Sequence, residues 1–369
     1  MSYQVLYRKY RPSDFSEVVG QDHVVSVIKR QVEAGRLAHA YLFSGPRGVG
    51  KTTVARIIAK AANCELAEGK GSKKAPCNEC ASCLAFVKGH ALNLIEIDAA
   101  SNRGIDEIRE LREAVRFAPV SGGTKVYIID EVHQLTKEAF NALLKTLEEP
   151  PAHVVFILAT TELDRVPPTI ISRTQHFDFR RPRLDVIQKR LIDIAKREGL
   201  TLESDAAGII AFAAEGSVRD AESMLGKIMA VEDSIITKDE VEEILGIPKR
   251  EAIIELFGFI AARNLAGAIE LVNRLYHDGH EMEYLLKVLV SFFRDVLLAK
   301  TDPTFAASSE SLIPREGELA GGLANYSAGD VANALEAFLE ALVVIKRTPI
   351  PQLPIELALV KIIHHEAKP

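Results

Sequence analysis

The sequence has no tryptophan, only four methionines and only four cysteines among 369 residues. Four cysteines are too few for the bridge framework of a small secreted domain, and three of them cluster at Cys77, Cys80 and Cys83. That usage points to a reduced compartment and a metal rather than to disulfides. No apolar run approaches the ~20 residues that a membrane-spanning helix needs. The opening MSYQVLYRKYRP lacks an apolar stretch, so no signal peptide is expected, and a cytoplasmic location is. No internal repeat is visible. The formal charge of −6 excludes a uniformly basic nucleic-acid coat but leaves room for a local basic stripe. The rest is ordinary globular composition, 47% apolar and 26% charged. The length exceeds what one core usually organises, so two or three domains are expected.

Short apolar runs predict buried strands at 40–44, 94–98, 125–130 and 154–160. They alternate with helical patterns at 51–63, 105–116 and 137–148. Such alternation argues for an α/β core with a parallel sheet and helices on both faces. Helix also begins near Gln21. The charged, Gly/Lys-rich stretch 65–75 reads as a loop. After Pro182 strands are expected to stop. Residues 183–243 read as a small helical unit, and a break near Gly246-Ile247-Pro248 introduces an all-helical region in which Ile253, Leu256, Phe257 and Ile260 recur at helical spacing. The segment 301–329 reads as a loop. The domains expected are therefore 1–180, 181–243 and 244–369, with a cysteine module at 64–83 inserted in the first.

Gly45-Pro46-Arg47-Gly48-Val49-Gly50-Lys51-Thr52 fits G-x-x-x-x-G-K-[ST] between a predicted strand and a predicted helix. Glycines let successive N–H groups turn around a phosphate, and the helix N-terminus adds a favourable dipole. Lys51 is expected to meet the β- and γ-phosphates of ATP, and Thr52 to offer its hydroxyl to Mg²⁺. Thr53 closes the nucleotide-binding run. The second half of the site is expected at Asp130-Glu131, where an apolar strand ends in two acids. Asp130 would hold Mg²⁺ through water, and Glu131 would polarise the attacking water. Thr160 and Thr161 end the next strand and would sit between these acids and the γ-phosphate. Alternatively, they satisfy their own backbone. Arg173 lies just past the core strands, where an arginine can reach a neighbouring subunit's phosphate or serve as a surface charge. Arg219 opens a helix of the second unit and could fold onto the same nucleotide.

Cys64, Cys77, Cys80 and Cys83 have the spacing C-x12-C-x2-C-x2-C. Four thiolates satisfy Zn²⁺ completely, which makes a structural site with no open position. A chance group of reduced cysteines or a redox role is the alternative. Arg109, Arg112 and Arg116 share a helix face, opposite the apolar positions Ile105, Ile108, Leu111 and Val115. Interleaved Glu110 and Glu113 allow either ion pairs or phosphate tracking along DNA.

Together these motifs resemble the clamp-loader group of AAA+ ATPases. The run from Tyr7 to Gln21 resembles the group's N-terminal segment that forms the adenine pocket, which implies nucleotide contacts from Tyr7, Arg11, Val18 and Val19. Ser172-Arg173 matches the group's Ser-Arg-Cys motif, with Thr174 where cysteine usually stands; the serine and arginine themselves are intact. The resemblance implies that Thr161 is sensor 1, Arg173 the arginine finger and Arg219 sensor 2. The zinc module narrows the likeness to the tau/gamma subunits of bacterial DNA polymerase III. The related delta-prime subunits carry the module with a degenerate P-loop, and here the P-loop is intact. The likeness is strongest over 7–225; beyond about 245 it rests on helical character. It implies an ATPase core, a helical lid and an oligomerising helical collar. It also implies that ATP drives loading of a sliding clamp onto primer–template DNA, with delta, delta-prime and further tau/gamma copies as partners. Two other readings stand beside it: a different AAA+ motor of DNA metabolism, and a subunit that binds nucleotide without turnover.

Overall fold

The computed structural model describes residues 4–66, 75–119, 122–231, 234–301 and 327–364. Most of the expected loops at 65–75 and 301–329 lies outside these. The described chain forms two compact units, one ending at Ile236 and one beginning at Thr237.

In the first unit a short helix α1 (Leu6–Lys9) and α2 (Asp22–Glu33) precede strand β1 (Ala40–Ser44). Helices α3 (Lys51–Ala62) and α4 (Ala81–Val87), strand β2 (Leu94–Asp98), helix α5 (Ile105–Val115) and strand β3 (Lys125–Asp130) follow. Then come α6 (Lys137–Glu148), β4 (Val154–Thr160), α7 (Pro168–Ile171) and β5 (Gln175–Asp178). The sheet order is β2-β3-β4-β1-β5, with every pair parallel. Four strands match the apolar runs. The fifth was not predicted, because an edge strand reading Gln-His-Phe-Asp carries no continuous apolar signal and is only half buried.

Strand β1 is buried along its whole length between β4 and β5. Its alternating side chains divide the core. Tyr41 and Phe43 join Val24 and Ile28 of α2 and Val54, Ile57 and Ile58 of α3 on one face. Ala40 and Leu42 join Ile108 and Leu111 of α5 and Phe140 and Leu143 of α6 on the other. The 3.6-residue periodicity of these helices is what fits them to the two faces.

A three-helix lid follows: α8 (Leu184–Arg197), α9 (Ser204–Ala213) and α10 (Val218–Ile228). Strands do not stop at Pro182, as the sequence suggests. Two-residue strands β6 (Thr201–Leu202) and β7 (Ile235–Ile236) pair in parallel and join the middle of the lid to its end. Segments this short leave no periodicity to read.

The second unit contains α11 (Lys238–Leu245), α12 (Arg250–Ala261), α13 (Leu265–His277), α14 (Met282–Thr301), α15 (Ala328–Val344) and α16 (Leu353–His364). A reciprocal capping box at Thr237 and Glu240 starts α11, so the helix that the sequence reading divides at 243 lies wholly in this unit. Leu256, Phe257 and Ile260 are buried in its core, with Ile253 packed against them. Phe257 meets Phe292 edge-on at 4.7 Å, and Phe293 meets Phe338 at 5.3 Å.

Phe43 is fully buried beside Tyr41, Phe177 and Phe179, with the last ring at 5.0 Å. Phe43→Ala is expected to destabilise the first unit by about 3–5 kcal/mol, read as a fall in the urea midpoint. An unchanged midpoint would mean that this face of β1 does not anchor the core.

Candidate active site

The carboxyl ends of β1, β2 and β3 converge on one cavity of about 490 Å³, the position where open α/β sheets place ligands. The loop after β1 makes its floor. Gly45 has φ +132°, and a Cβ there would meet the Phe179 carbonyl oxygen at 2.1 Å. Gly48 has φ +76°, and a Cβ there would strike Ser217 Oγ at 1.9 Å. Both positions therefore require glycine. Ser217 in turn caps α10 by accepting the Asp220 N–H, so the phosphate loop and the lid are fitted to each other.

Lys51 is the first residue of α3 and is buried. Its Nζ donates to the carbonyls of Gly45 at 2.6 Å and Pro46 at 2.7 Å. Burial lowers its pKa, and Glu131 and Asp130 oppose that shift. Thr52 Oγ1 donates to Asp130 Oδ2 at 2.8 Å. A hydroxyl and a carboxylate thus converge beside the phosphate loop, a donor set that fits hard Mg²⁺. Glu131 sits at φ +48° where β3 ends, which turns its side chain out of the strand line. Its Oε2 accepts from Thr161 Oγ1 at 2.9 Å and lies 3.4 Å from His133 Nδ1. His133 Nδ1 is also 2.9 Å from Thr160 Oγ1.

Tyr7, Arg11, Val18 and Val19 line the cavity, together with Arg47, Gly48, Val49, Gly50, Thr53 and Arg219. The Arg219 guanidinium lies 4.7 Å above the Tyr7 ring, a cation–π arrangement. Arg8 and Arg219 beside the Tyr7 hydroxyl lower its pKa. Burial lowers that of Arg11.

Three charged lining residues were not found from the sequence. Asp98 ends β2 directly opposite Asp130 in the ladder, a position that strand pairing would have revealed. Glu222 lies one helical turn after Arg219 on α10, and Arg190 lies on α8. The last two form a buried pair at 3.1 Å. Arg190 also donates to the Tyr10 carbonyl, tying the lid to the N-terminal segment. No sequence pattern announces this pair, because its members meet only through tertiary packing.

Arg173 does not line the cavity. It follows α7 and pairs with Glu148 at the end of α6 at 2.8 Å. Arg109 and Arg116 pair with Asp106 and Glu113 at 3.0 and 3.5 Å, the interleaved-charge arrangement of an exposed helix. The four cysteines come together, with all sulfurs within 4.8 Å of one another. Cys77 and Cys83 sulfurs lie 3.9 Å apart, close to the ~3.8 Å separation that tetrahedral Zn–S bonds of about 2.3 Å imply. Amide N–H groups of Glu79 and Cys80 pull the Cys77 thiol down to about 7, and burial pushes Cys64 and Cys83 up. Among the described residues no helix is long and apolar enough to cross a membrane.

Sheet order, phosphate loop and lid define the AAA+ P-loop fold. Three family models tile most of the chain. "DNA polymerase III, delta subunit" matches 20–183, "DNA polymerase III clamp loader subunit, ATPase lid domain" matches 186–231, and "DNA polymerase III subunits gamma and tau domain III" matches 236–369. The Buchnera aphidicola DNA polymerase III subunit gamma is 40% identical over 303 residues, 82% of each chain. The Bacillus subtilis subunit tau is 47% identical over 303 residues, 82% of this chain and 53% of that protein. The Escherichia coli subunit tau is 41% identical over 82% of this chain and 46% of its own. The chain belongs to the gamma/tau family of DNA polymerase III clamp-loader subunits, and spans about half the length of the tau proteins it matches. A Thermotoga maritima RuvB point mutant superposes with a TM-score of 0.51 over 92% of this chain and 94% of that one. At 17% identity this is a likeness of fold.

Burial pushes the Glu222 carboxyl up to about 7, against the opposing pull of Arg190. A raised carboxyl favours the protonated fold. Its stabilisation is full below the ordinary carboxylate range and is lost as pH rises towards 7. That loss is on the order of 3 kcal/mol between about pH 4.5 and 7. In Glu222→Gln, unfolding free energy should fall less steeply across this window. Parallel pH profiles for the two proteins would remove Glu222 as the titrating group.

Proposed function

We propose that this chain is the ATP-hydrolysing part of a clamp loader, which opens a sliding clamp and loads it onto primer–template DNA. The observation that carries the reading is the convergence of Lys51, the Thr52–Asp130 pair and Glu131 on one phosphate loop. Family membership supplies the biological setting, and the functions of the whole clamp loader are part of the proposal.

In this mechanism Tyr7, Arg11, Val18 and Val19 hold the adenosine. Lys51 exchanges its two carbonyl partners for the β- and γ-phosphate oxygens, which are charged and bind an ammonium more strongly. Mg²⁺, held by Thr52 and by Asp130 through water, would neutralise charge on the same phosphates. Glu131 orients and polarises the attacking water, while Thr161 fixes its carboxylate and serves as sensor 1. Arg219 leaves the Tyr7 ring for the γ-phosphate, reporting the nucleotide to the lid. Arg173 serves the neighbouring subunit's nucleotide, consistent with its place outside its own cavity. Zn²⁺ on Cys64, Cys77, Cys80 and Cys83 would be structural, since four thiolates leave no open position. The second unit is the collar that joins delta, delta-prime and further tau/gamma copies. Its exposed Leu339, Val343, Leu357 and Val360 are apolar surface suited to such packing.

Two measurements test the assignment. Lys51→Ala should lose ATP affinity, whereas Glu131→Gln should keep it and lose hydrolysis, because only the polarisation of water is removed. Parental hydrolysis by Glu131→Gln would exclude Glu131 as the base. Arg173→Ala should bind ATP normally as an isolated subunit and lose ~10³–10⁵ of stimulated turnover in the assembly. Mixing it with Lys51→Ala should restore activity at interfaces that pair an intact phosphate loop with an intact Arg173. If isolated Arg173→Ala has already lost ATP affinity, the arginine serves its own site.

A further inference from the structure

Two lysines are buried among the described residues, and both lie on α3. Lys51 opens the helix and faces a phosphate site. Lys60 is near the other end, 4% exposed, and forms no ion pair with a described carboxylate. A buried ammonium without an anion is costly, so such a group implies one nearby. Its Nζ donates to Asn78 Oδ1 and, at 3.3 Å, to the Ser13 carbonyl. Asn78 stands between Cys77 and Cys80 at φ +63°. Both of Lys60's hydrogen-bond acceptors are neutral. Four thiolates around a divalent metal carry a net charge of about −2, the charge that a buried cation at this place complements.

We propose that Lys60 is the cationic partner of the metal-loaded tetrathiolate and ties that site to the nucleotide cavity. The tie has two strands. One is α3 itself, which carries Lys51 at its start and leads into Cys64 two residues past its end. The other is Ser13, next to Pro12 in the N-terminal segment that walls the cavity. Lys60 therefore fastens the Cys77–Cys80 turn and the cavity wall to one helix. The metal's outer hydrogen bonds are in general what fix its ligands, and losing one typically costs 10–100-fold in metal affinity.

The inference rests on the zinc reading above, and the test separates the two. The full chain is purified under reducing conditions, its zinc is counted, and release to a chelating dye is timed. Lys60→Met should release zinc at least about tenfold faster than the parent. Lys60→Arg, which keeps the charge, should recover most of that retention. Binding of a fluorescent ATP analogue with Mg²⁺ should weaken severalfold in Lys60→Met. After zinc is stripped from both proteins, the difference in analogue binding between parent and Lys60→Met should shrink, because only the Ser13 bond still separates them, whereas a merely structural lysine would leave the difference unchanged. Asn78→Gly tolerates the positive φ, removes the acceptor and provides the same release measurement if Lys60→Met does not fold. A parent chain without zinc refutes the zinc reading and this proposal together. A zinc-bearing parent whose Lys60→Met, or failing that Asn78→Gly, releases metal at the parental rate refutes the proposal alone.

Discussion

The site depends on the parallel pairing of β1 with β4 and of β4 with β3. These ladders fix the heights at which Ser44, Thr160 and Asp130 end their strands. A parallel ladder has evenly spaced bonds, and a one-residue slip would move every side chain to the opposite face, away from the helices it is fitted to. The phosphate loop, the Thr52–Asp130 bond and the Glu131–Thr161 bond follow from that register, because each joins the end of one strand to the end, or the following helix, of another. The buried aromatic contacts of Tyr41 and Phe43 with Phe177 brace β1 against β5 on the other side of that ladder.

Much of this was legible in the sequence, for reasons that can be named. A strand buried on both faces must be apolar throughout, so β1, β3 and β4 announce themselves. Glycines forced by close approach and positive φ leave a fixed spacing, so the phosphate loop does too. Thiols that gather in one cluster must be near one another, and here most are near in sequence. Arg190 and Glu222 were not legible, because neither residue type nor spacing marks two charges that meet only when α8 packs on α10 within the lid. Strand β5 and the β6–β7 pair escaped because edge and two-residue strands carry too little burial to shape their sequences. Lys60 escaped for a different reason. A lysine on a helix is the ordinary surface residue until its burial is known.

The lid is joined to the nucleotide floor by unlike contacts. Ser217 meets Gly48 without room for a side chain, while Arg219 rests on Tyr7 through a cation–π contact. The first is a steric constraint that admits one geometry. The second is an electrostatic contact that a phosphate can outbid, since a charge-assisted hydrogen bond exceeds the attraction of an aromatic face. Under the proposed mechanism, rigid fit at the floor with an exchangeable arginine above it would let the lid register the nucleotide without unpacking.

The Glu148–Arg173 pair has a related consequence. An arginine that already holds a carboxylate is not a free cation waiting for any anion; in the proposed trans role, its delivery to a phosphate would be a displacement. Chloride or a stray carboxylate gains little by displacing Glu148, whereas a phosphate that accumulates charge during transfer gains more. In that role the carboxylate would act as a reference ligand, and the arginine's response to an incoming group would measure how far that group exceeds it. Discrimination is set by the difference between two anions and not by the absolute affinity for either.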